Sequence, residues 1–161
     1  PKVIEINARF GDPEAMNVIP LLQTDFVSLG DAMIHQRLDS LSLDFDMKST
    51  VCKYVVPEGY GVKSLSDQKI AIDTEHIKDV GARLFYASVN QDNAGVRTTS
   101  SRSLAIVGFA DDLSSAEQIC EDALQFVHSD HIYIRHDIGK KDLVQQRIDH
   151  MKKIRGVKST I

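Results

Sequence analysis

Tryptophan is absent from this 161-residue sequence, and cysteine (two residues) and proline (four residues) are scarce. Cys52 and Cys120 stand far apart without a CxxC spacing, which argues against a disulfide framework. Isolated cysteines of this kind are typical of small buried residues in proteins of the reducing cytosol.

Long apolar runs and an excess of positive charge are also missing. No run approaches the roughly 20 residues that a membrane-spanning helix needs, and the first residues show no signal-peptide pattern. Lys plus Arg number 19 against 23 for Asp plus Glu, a net charge of −4, and no basic stripe is interleaved with aromatic residues. We therefore expect a cytoplasmic chain that binds neither membranes nor nucleic acids.

The patterns for several common kinds of active site are absent as well. No serine lies in a GxSxG elbow and no cysteine has a paired base, so nucleophilic catalysis has no support. His128, His131 and His136 could be imagined as zinc ligands, but nothing in the sequence makes their rings converge, and surface histidines are favoured. The GxG of Gly59 and Gly61 has no helix after it and indicates a tight turn rather than a phosphate loop.

What is present is the composition of a globular protein, with 42% hydrophobic and 26% charged residues. Short strand patterns follow residue 47, together with two helices, and we predict a small α+β module built on an antiparallel meander. The predicted strands are Thr50 to Val56, Lys69 to Ile72, Ala82 to Val89, Val96 to Thr99, Ser103 to Phe109 and His131 to Arg135, with a hairpin turn at Asn90 to Gly95. One predicted helix begins at a capping box, Ser114 to Glu117. The other spans Lys140 to Arg155.

The segment from Lys2 to Glu14 carries the most specific chemistry. Its residues Val3 to Arg9 alternate with a strand's period of two, so that Glu5, Asn7 and Arg9 share one face. A carboxylate and an amide carbonyl one strand repeat apart suit Mg²⁺, and the arginine can grip phosphate or carboxylate. The same alternation is typical of an ordinary surface strand, and the pattern alone does not decide between the two interpretations.

A turn and helices follow this predicted strand. Asp12 is placed as an N-cap, with Pro13 at the first helical position and Glu14 in the first turn. A further helix is predicted from an N-cap at Thr24 to about Leu38. The result would be a strand–turn–helix corner with converging polar groups.

Motifs along nearly the whole chain are similar to those of the phosphoribosylamine–glycine ligase family, in its archaeal form. The chain has serines at Ser100 and Ser101 where many members have paired glycines. It also lacks the histidine that many members have near Phe85. In chain order the matching segments are EINARFGDPE with Ile19 to Leu22 and Asp25, Val56 to Gly61, Leu84 to Ser88, Thr99 to Arg102 with Val107 to Asp111, and Arg135 to Gly139.

The resemblance implies a fold, an activity and roles for particular residues. It implies that residues 1–46 are the end of an ATP-grasp domain and residues 47–161 a C-terminal α+β domain. The implied ligase joins glycine to 5-phosphoribosylamine with ATP and Mg²⁺ or Mn²⁺. Glu5 and Asn7 match metal ligands, Arg9 a catalytic and substrate-contacting residue, and Asp12 a substrate-binding residue.

The resemblance also implies that the nucleotide pocket lies upstream of Pro1, in an ATP-grasp portion that the sequence does not include. We therefore expect this chain to be inactive by itself, and an unpaired first strand favours self-association into a homodimer. One alternative is a non-catalytic packing module that closes the active site of a partner ATP-grasp chain. Another, supported only by the α+β outline, is a regulatory domain that binds a small molecule.

Overall fold

The computed structural model describes residue 3 and residues 6–156. The chain divides into two compact units, Pro1–Lys48 and Ser49–Ile161. This division falls just after the sequence-based boundary between segments 1–46 and 47–161, and the assignment of the first segment to an ATP-grasp domain stays a prediction. Helices and antiparallel sheets together confirm the α+β class.

The first unit is made of short helices. They are α1 (Glu14–Val18), a 3₁₀ turn (Ile19–Leu21), α2 (Phe26–Ile34) and a second 3₁₀ turn (Leu38–Ser40). Among the described residues of this unit, Ala32 is the one buried side chain. Most of its large apolar side chains are exposed to solvent, among them Phe26, Val27, Met33 and Ile34.

The expected cap of α2 is wrong by one residue. Asp25, not Thr24, is the N-cap, and its carboxylate accepts a hydrogen bond from the backbone N–H of Ser28 at 2.7 Å. The Thr24 hydroxyl instead accepts from the N–H of Asp44 at 2.8 Å. The helix also ends before the predicted Leu38, since Gln36 has a φ of 55° and leaves the helical conformation.

The second unit contains two four-stranded antiparallel sheets, with orders β3–β6–β1–β8 and β4–β5–β2–β7. Among these pairings, only β4 and β5 join consecutive strands, so the predicted meander is wrong. Residues 82–89 also do not form one strand, because they divide into β3 and β4 of different sheets. The strands are β1 (Ser49–Pro57), β2 (Lys69–Ile72), β3 (Arg83–Tyr86), β4 (Val89–Asp92), β5 (Gly95–Thr98), β6 (Leu104–Ala110), β7 (Val127–His128) and β8 (Ile132–Ile134).

The helices of the second unit are α3 (Thr74–Asp79), α4 (Leu113–Leu124) and α5 (Lys141–Ile154). Helix α4 packs on β6 and β1 and closes the core, whose buried members include Val51, Val55, Leu104, Ile106, Ala116 and Cys120. Helix α4 comes closest to β6 at Gly108, where a Cβ would lie 2.0 Å from the carbonyl oxygen of Ala116 in α4. None of the described helices is long and apolar enough to cross a membrane.

The predicted capping box at the start of α4 is wrong. Asp112 is the N-cap, and its carboxylate accepts hydrogen bonds from the N–H groups of Ser114 and Ser115 at 2.9 and 3.0 Å. This earlier start places Glu117 on the buried side of the helix instead of at its cap. The buried face of α4 therefore carries a carboxylate, which needs a charged partner.

Candidate functional site

The residues predicted to bind metal and substrate lie at the start of the chain. Glu5 lies outside the described residues. Asn7, Arg9 and Asp12 are described and exposed. The described residues from Ile6 to Phe10 are not in a strand, so the strand prediction is wrong for this part. The shared face of Glu5, Asn7 and Arg9 stays a prediction.

The arginine and the corner after it have a definite local structure. Arg9 Nη1 donates a hydrogen bond to the carbonyl of Phe10 at 2.8 Å. The N-cap of α1 is Pro13 and not Asp12, and it makes no side-chain capping bond. Glu14 lies in the first turn as predicted, where its charge suits the helix dipole.

Of the two predicted metal ligands, the described residues include one, the exposed Asn7. In the described part of the chain no group of three or more His, Cys, Asp or Glu side chains is placed to hold a metal ion. The metal roles of Glu5 and Asn7 therefore rest on the resemblance alone.

A cluster of charged side chains surrounds Lys53, a residue that the sequence analysis did not single out. Lys53 lies on β1 and is fully buried. Its Nζ donates to Glu117 Oε1 at 2.5 Å, to Glu121 Oε1, and to the carbonyl of His136 at 2.9 Å. Lys140 Nζ also lies 2.9 Å from Glu117 Oε1. We call Lys53, Glu117, Glu121, His136 and Lys140 the Lys53 cluster.

The pKa values of the two glutamates follow from this geometry. Burial disfavours the charged form of Glu117, but hydrogen bonds from Lys53 and Lys140 outweigh it and lower the pKa of Glu117. Burial likewise opposes ionisation of Glu121, and hydrogen bonds from Lys53 and His136 outweigh it and lower the pKa of Glu121. Both glutamates are therefore held as carboxylates around one ammonium group.

The Lys53 cluster ties three parts of the second unit together. It links β1, helix α4 and the segment after β8 that contains His136. Three acceptors use all three protons of the Lys53 ammonium, so the group has no donor left for a ligand. We interpret the cluster as a structural element that fixes α4 against the sheet.

The segment Arg135 to Gly139 contains an ion pair between Arg135 and Asp137. Arg135 Nε donates to Asp137 Oδ1 at 2.9 Å, and a second bond joins Nη2 to Oδ2. About half of each side chain is exposed, at 52% and 50%. Gly139 follows with a φ of 83°, and a Cβ there would lie 2.8 Å from Val51, so the turn requires glycine.

The cysteines have the predicted environment. Cys52 and Cys120 are both buried thiols. Burial raises the pKa of Cys120 to about 11, and its Sγ donates to the carbonyl of Val51 at 3.0 Å. A thiol in the state of Cys120 is a core packing group and not a nucleophile.

One signal in the sequence could have identified the Lys53 cluster. Lys53 interrupts the apolar run of β1, in TVCKYVV, at a position whose neighbours by strand period are Val51 and Val55. A lysine on the buried side of a central strand requires acidic partners. Glu117, which the capping-box prediction placed at the start of α4, is one of these partners.

The fold is shared with an enzyme of known structure. A crystal structure of phosphoribosylamine–glycine ligase from Thermotoga maritima matches with a TM-score of 0.64 and 18% identity, over 85% of this chain and 33% of that one. At this level of identity the match establishes the α+β fold and no more.

The family follows from the sequence. The family model described as phosphoribosylglycinamide synthetase, C domain, matches residues 50–141, which is more than half of the chain. The chain therefore belongs to this family, and the resemblance stated from its motifs is confirmed.

Several curated relatives are archaeal proteins named phosphoribosylamine–glycine ligase. That of Methanocaldococcus jannaschii is 46% identical over 155 residues, which are 96% of this chain and 35% of the relative. Those of Methanosarcina barkeri and Methanocella arvoryzae are 47% and 48% identical, over 97% and 96% of this chain and 35% of each relative. The chain thus spans about a third of the length of these relatives.

Proposed function

We propose that this chain is the C-terminal part of an ATP-dependent ligase of de novo purine biosynthesis in the cytoplasm. The enzyme joins glycine to 5-phosphoribosylamine and releases glycinamide ribonucleotide, ADP and phosphate. The observation that carries the proposal is the 46% identity over 155 residues to the Methanocaldococcus jannaschii ligase, together with the family match over residues 50–141.

The chemistry requires neutralisation of charge on a transferred phosphoryl group. ATP phosphorylates the glycine carboxylate to glycyl phosphate, and the amine of phosphoribosylamine then displaces phosphate. In this proposal Arg9 contacts an anionic substrate group, and Asp12 belongs to the same substrate-binding segment. Glu5 and Asn7 would bind Mg²⁺ or Mn²⁺, which supplies positive charge near the phosphates when bound.

The chain by itself is expected to be inactive, because in the proposed enzyme the nucleotide pocket belongs to the upstream ATP-grasp portion. Isothermal titration calorimetry of ATP with Mg²⁺ into the 161-residue chain should therefore give no heat of binding in the micromolar range. A clear micromolar isotherm would contradict this division of the enzyme.

The alternative of a non-catalytic packing module has one observation in its favour. The described part of the first unit buries one side chain, Ala32, while Phe26, Val27 and Met33 are 53%, 77% and 55% exposed. Apolar side chains exposed on neighbouring turns of a helix are typical of a surface that packs against a partner. In this alternative the chain would stabilise an ATP-grasp partner without supplying Glu5 or Arg9 to the reaction.

A chimeric enzyme tests the proposal. In the Methanocaldococcus jannaschii ligase, the matching 155 residues are replaced by those of this chain, and ADP formation is measured with ATP, glycine and phosphoribosylamine. We expect turnover by the chimera and none by the same ligase lacking the matching residues. A soluble, folded chimera without turnover would contradict the proposed function. Full turnover by a chimera carrying both Glu5→Gln and Arg9→Gln would favour the packing module.

A further inference from the structure

Helix α5 has an apolar side that remains exposed. None of its 14 residues is buried. Leu143 and Val144, in the first turn, are half-buried, whereas Ile148 and Met151 are each 43% exposed and Ile154 is 64% exposed. Burial therefore decreases from the start of the helix towards its end.

A groove of about 460 Å³ lies on this side of α5. Its floor is apolar, since Val144, Ile148 and Met151 recur at spacings of four and three residues and share one face of the helix. The described residues that line the groove all belong to α5 or to its C-cap, and they are Val144, Arg147, Ile148, Met151, Lys152 and Arg155. Among the described residues, no second element closes the groove.

The charges beside the groove are all positive. Arg147, Lys152 and Arg155 line it, and none of its described lining residues is Asp or Glu. The two aspartates of the helix, Asp142 and Asp149, lie seven residues apart and share a different face. A surface that is complementary to the groove is therefore apolar at its centre and acidic at its rim.

The stability of α5 also requires a partner surface. Isolated helices of about 12–15 residues are only marginally stable in water, and most helical stability in proteins comes from packing of the apolar side. With Ile148, Met151 and Ile154 exposed, α5 receives little of this contribution from the described chain. Packing of these side chains against another surface would supply it.

The comparisons indicate where such a surface lies. The family match ends at residue 141, the first residue of α5, so most of the helix lies outside the matched domain. The match to the Methanocaldococcus jannaschii ligase covers 96% of this chain, and so includes most of α5, but only 35% of that relative. The larger part of such a ligase is thus available as a partner. A second copy of this chain is a poor partner, because the positive residues of the two grooves would repel each other.

We propose that the apolar side of α5 packs against the upstream portion of the same ligase, on an apolar patch with an acidic rim. The inference rests on the proposed function, which places such a portion before this chain. In the 161-residue chain this side of α5 is open to solvent, and in the complete enzyme it is covered. The contact would hold the C-terminal part on the rest of the enzyme.

Hydrogen exchange of the α5 amides tests the proposal in the chimeric ligase described above. The amides of residues 145–154 should exchange at least about tenfold more slowly in the chimera than in the 161-residue chain, because the contact raises the free energy of local opening. The comparison is repeated at two protein concentrations, and the molecular mass of the chimera is measured by analytical ultracentrifugation.

A variant of the groove floor and a matched control locate the contact. Ile148→Glu should reduce the protection of α5 in the chimera to that in the 161-residue chain. Glutamate is a better helix former than isoleucine, so this loss cannot come from helix propensity. Gln146→Glu introduces the same charge on another side of the helix and should leave the protection unchanged.

A variant of the rim tests the charge complementarity. Arg147→Gln combined with Lys152→Gln removes two positive charges beside the groove and should lower the protection in the chimera by at least about threefold. Lys153→Gln is the control, because Lys153 is not among the described lining residues and should tolerate the change. Unchanged protection in the rim variant would contradict an acidic partner surface.

Four further results would overturn the proposal. The first is equal exchange of α5 in the chimera and in the 161-residue chain. The second is equal loss of protection in Ile148→Glu and Gln146→Glu. The third is protection that grows with concentration in a dimeric chimera, which would identify a second copy as the partner. The fourth is protection of the 161-residue chain by phosphatidylglycerol vesicles without protection in the chimera, which would identify a lipid surface.

The outcome is separate from the test of the ligase function. A chimera that turns over while α5 stays unprotected overturns this inference and leaves the function intact. A chimera with a protected α5 and no turnover contradicts the function and leaves the contact intact.

Discussion

Lys53 Nζ lies 2.5 Å from Glu117 Oε1, although the two residues are 64 positions apart in the chain. Lys53 is fully buried and Glu117 is 7% exposed at its side chain. Transfer of these charges out of water is costly, and it is tolerated because each charge is paired and hydrogen-bonded. The Lys53 cluster thus requires that β1 and α4 meet in one particular register.

Replacement of the buried lysine should destabilise the second unit strongly. Lys53→Met leaves Glu117 and Glu121 close together without their shared partner, at an expected cost of about 3–5 kcal/mol. Urea unfolding of the 161-residue chain, followed by circular dichroism, measures this cost. The control Lys78→Met changes an exposed lysine at the end of α3 and should stay within about 0.5 kcal/mol of the parent. If Lys53→Met lowered the free energy of unfolding by less than about 1 kcal/mol, the ion pairs of Lys53 would contribute little to stability.

The lowered pKa values of Glu117 and Glu121 predict the direction of the pH dependence. In the unfolded chain both groups titrate near the ordinary value of 4.5, and in the folded chain they titrate lower. Their contribution to stability is therefore complete above about pH 4.5 and is lost as the pH falls through the folded values. The melting temperature, measured from pH 7 to pH 3, should therefore decrease as the pH falls below about 4.5.

The Lys53→Met variant should show the opposite trend for the same two glutamates. Without the Lys53 ammonium group, Lys140 and His136 remain as partners, but burial and the repulsion between the two carboxylates should raise the pKa values of Glu117 and Glu121 above those of the parent, so that protonation relieves part of the loss. The stability difference between parent and variant should consequently shrink as the pH is lowered from 7 to 5. A difference that is constant over this range would contradict the assigned charge states.

The close contact between α4 and β6 leads to a separate prediction about stability. Gly108→Ala places a methyl group where the Ala116 carbonyl oxygen would be 2.0 Å away, and backbone atoms on both sides must move. We expect a loss of about 1–3 kcal/mol or more, measured by the same urea unfolding. Gly30→Ala is the matched control, since alanine is the better helix former in α2. Apart from its chain neighbours and its own helix backbone, no atom lies within 4 Å of the position that the new methyl group would take. Equal effects of the two substitutions would contradict the close packing.

The predicted site at the start of the chain has its own test in the chimera. Glu5→Gln keeps the shape of the side chain and removes its charge, so it should abolish most turnover while the melting temperature is unchanged. Glu75→Gln, at an exposed position in α3, is the control and should leave turnover intact. Near-normal turnover of Glu5→Gln at saturating Mg²⁺ would exclude the metal role.

Local patterns predicted individual strands well and their arrangement poorly. β2 has the predicted bounds, and in β8 the side chains of Ile132 and Ile134 are more buried than that of Tyr133. Alternation reports which side of a strand is apolar but not which strand lies next to it. For this reason the division of residues 82–89 between two sheets was missed.

Short elements and caps were missed for a different reason. Helix α3 has six residues, too few to show a helical period of apolar residues. The one local signal of its start in the sequence is the capping residue Asp73, whose side chain accepts a hydrogen bond from the N–H of His76. At α4, Asp112 and Ser114 are both good capping residues, and the glutamate three residues after Ser114 favoured Ser114. That choice determined whether Glu117 faced solvent or Lys53.

The candidate site was predicted from resemblance rather than from local structure. The period of two in residues 3–9 indicated a strand, but a strand requires a neighbouring strand to pair with, and residues 6–10 pair with none in the described part of the chain. The Lys53 cluster was not predicted, because it depends on the contact of β1 with α4 and on the segment after β8. Only the folded chain brings those segments together.

The most direct test of the account is the product made by the chimeric ligase. With ¹³C-labelled glycine, ATP and phosphoribosylamine, mass spectrometry should detect labelled glycinamide ribonucleotide in amounts equal to the ADP formed. The ligase lacking the matching 155 residues should form none. A folded chimera that forms no labelled glycinamide ribonucleotide, or that hydrolyses ATP without incorporating glycine, would contradict the assignment of this chain to the ligase.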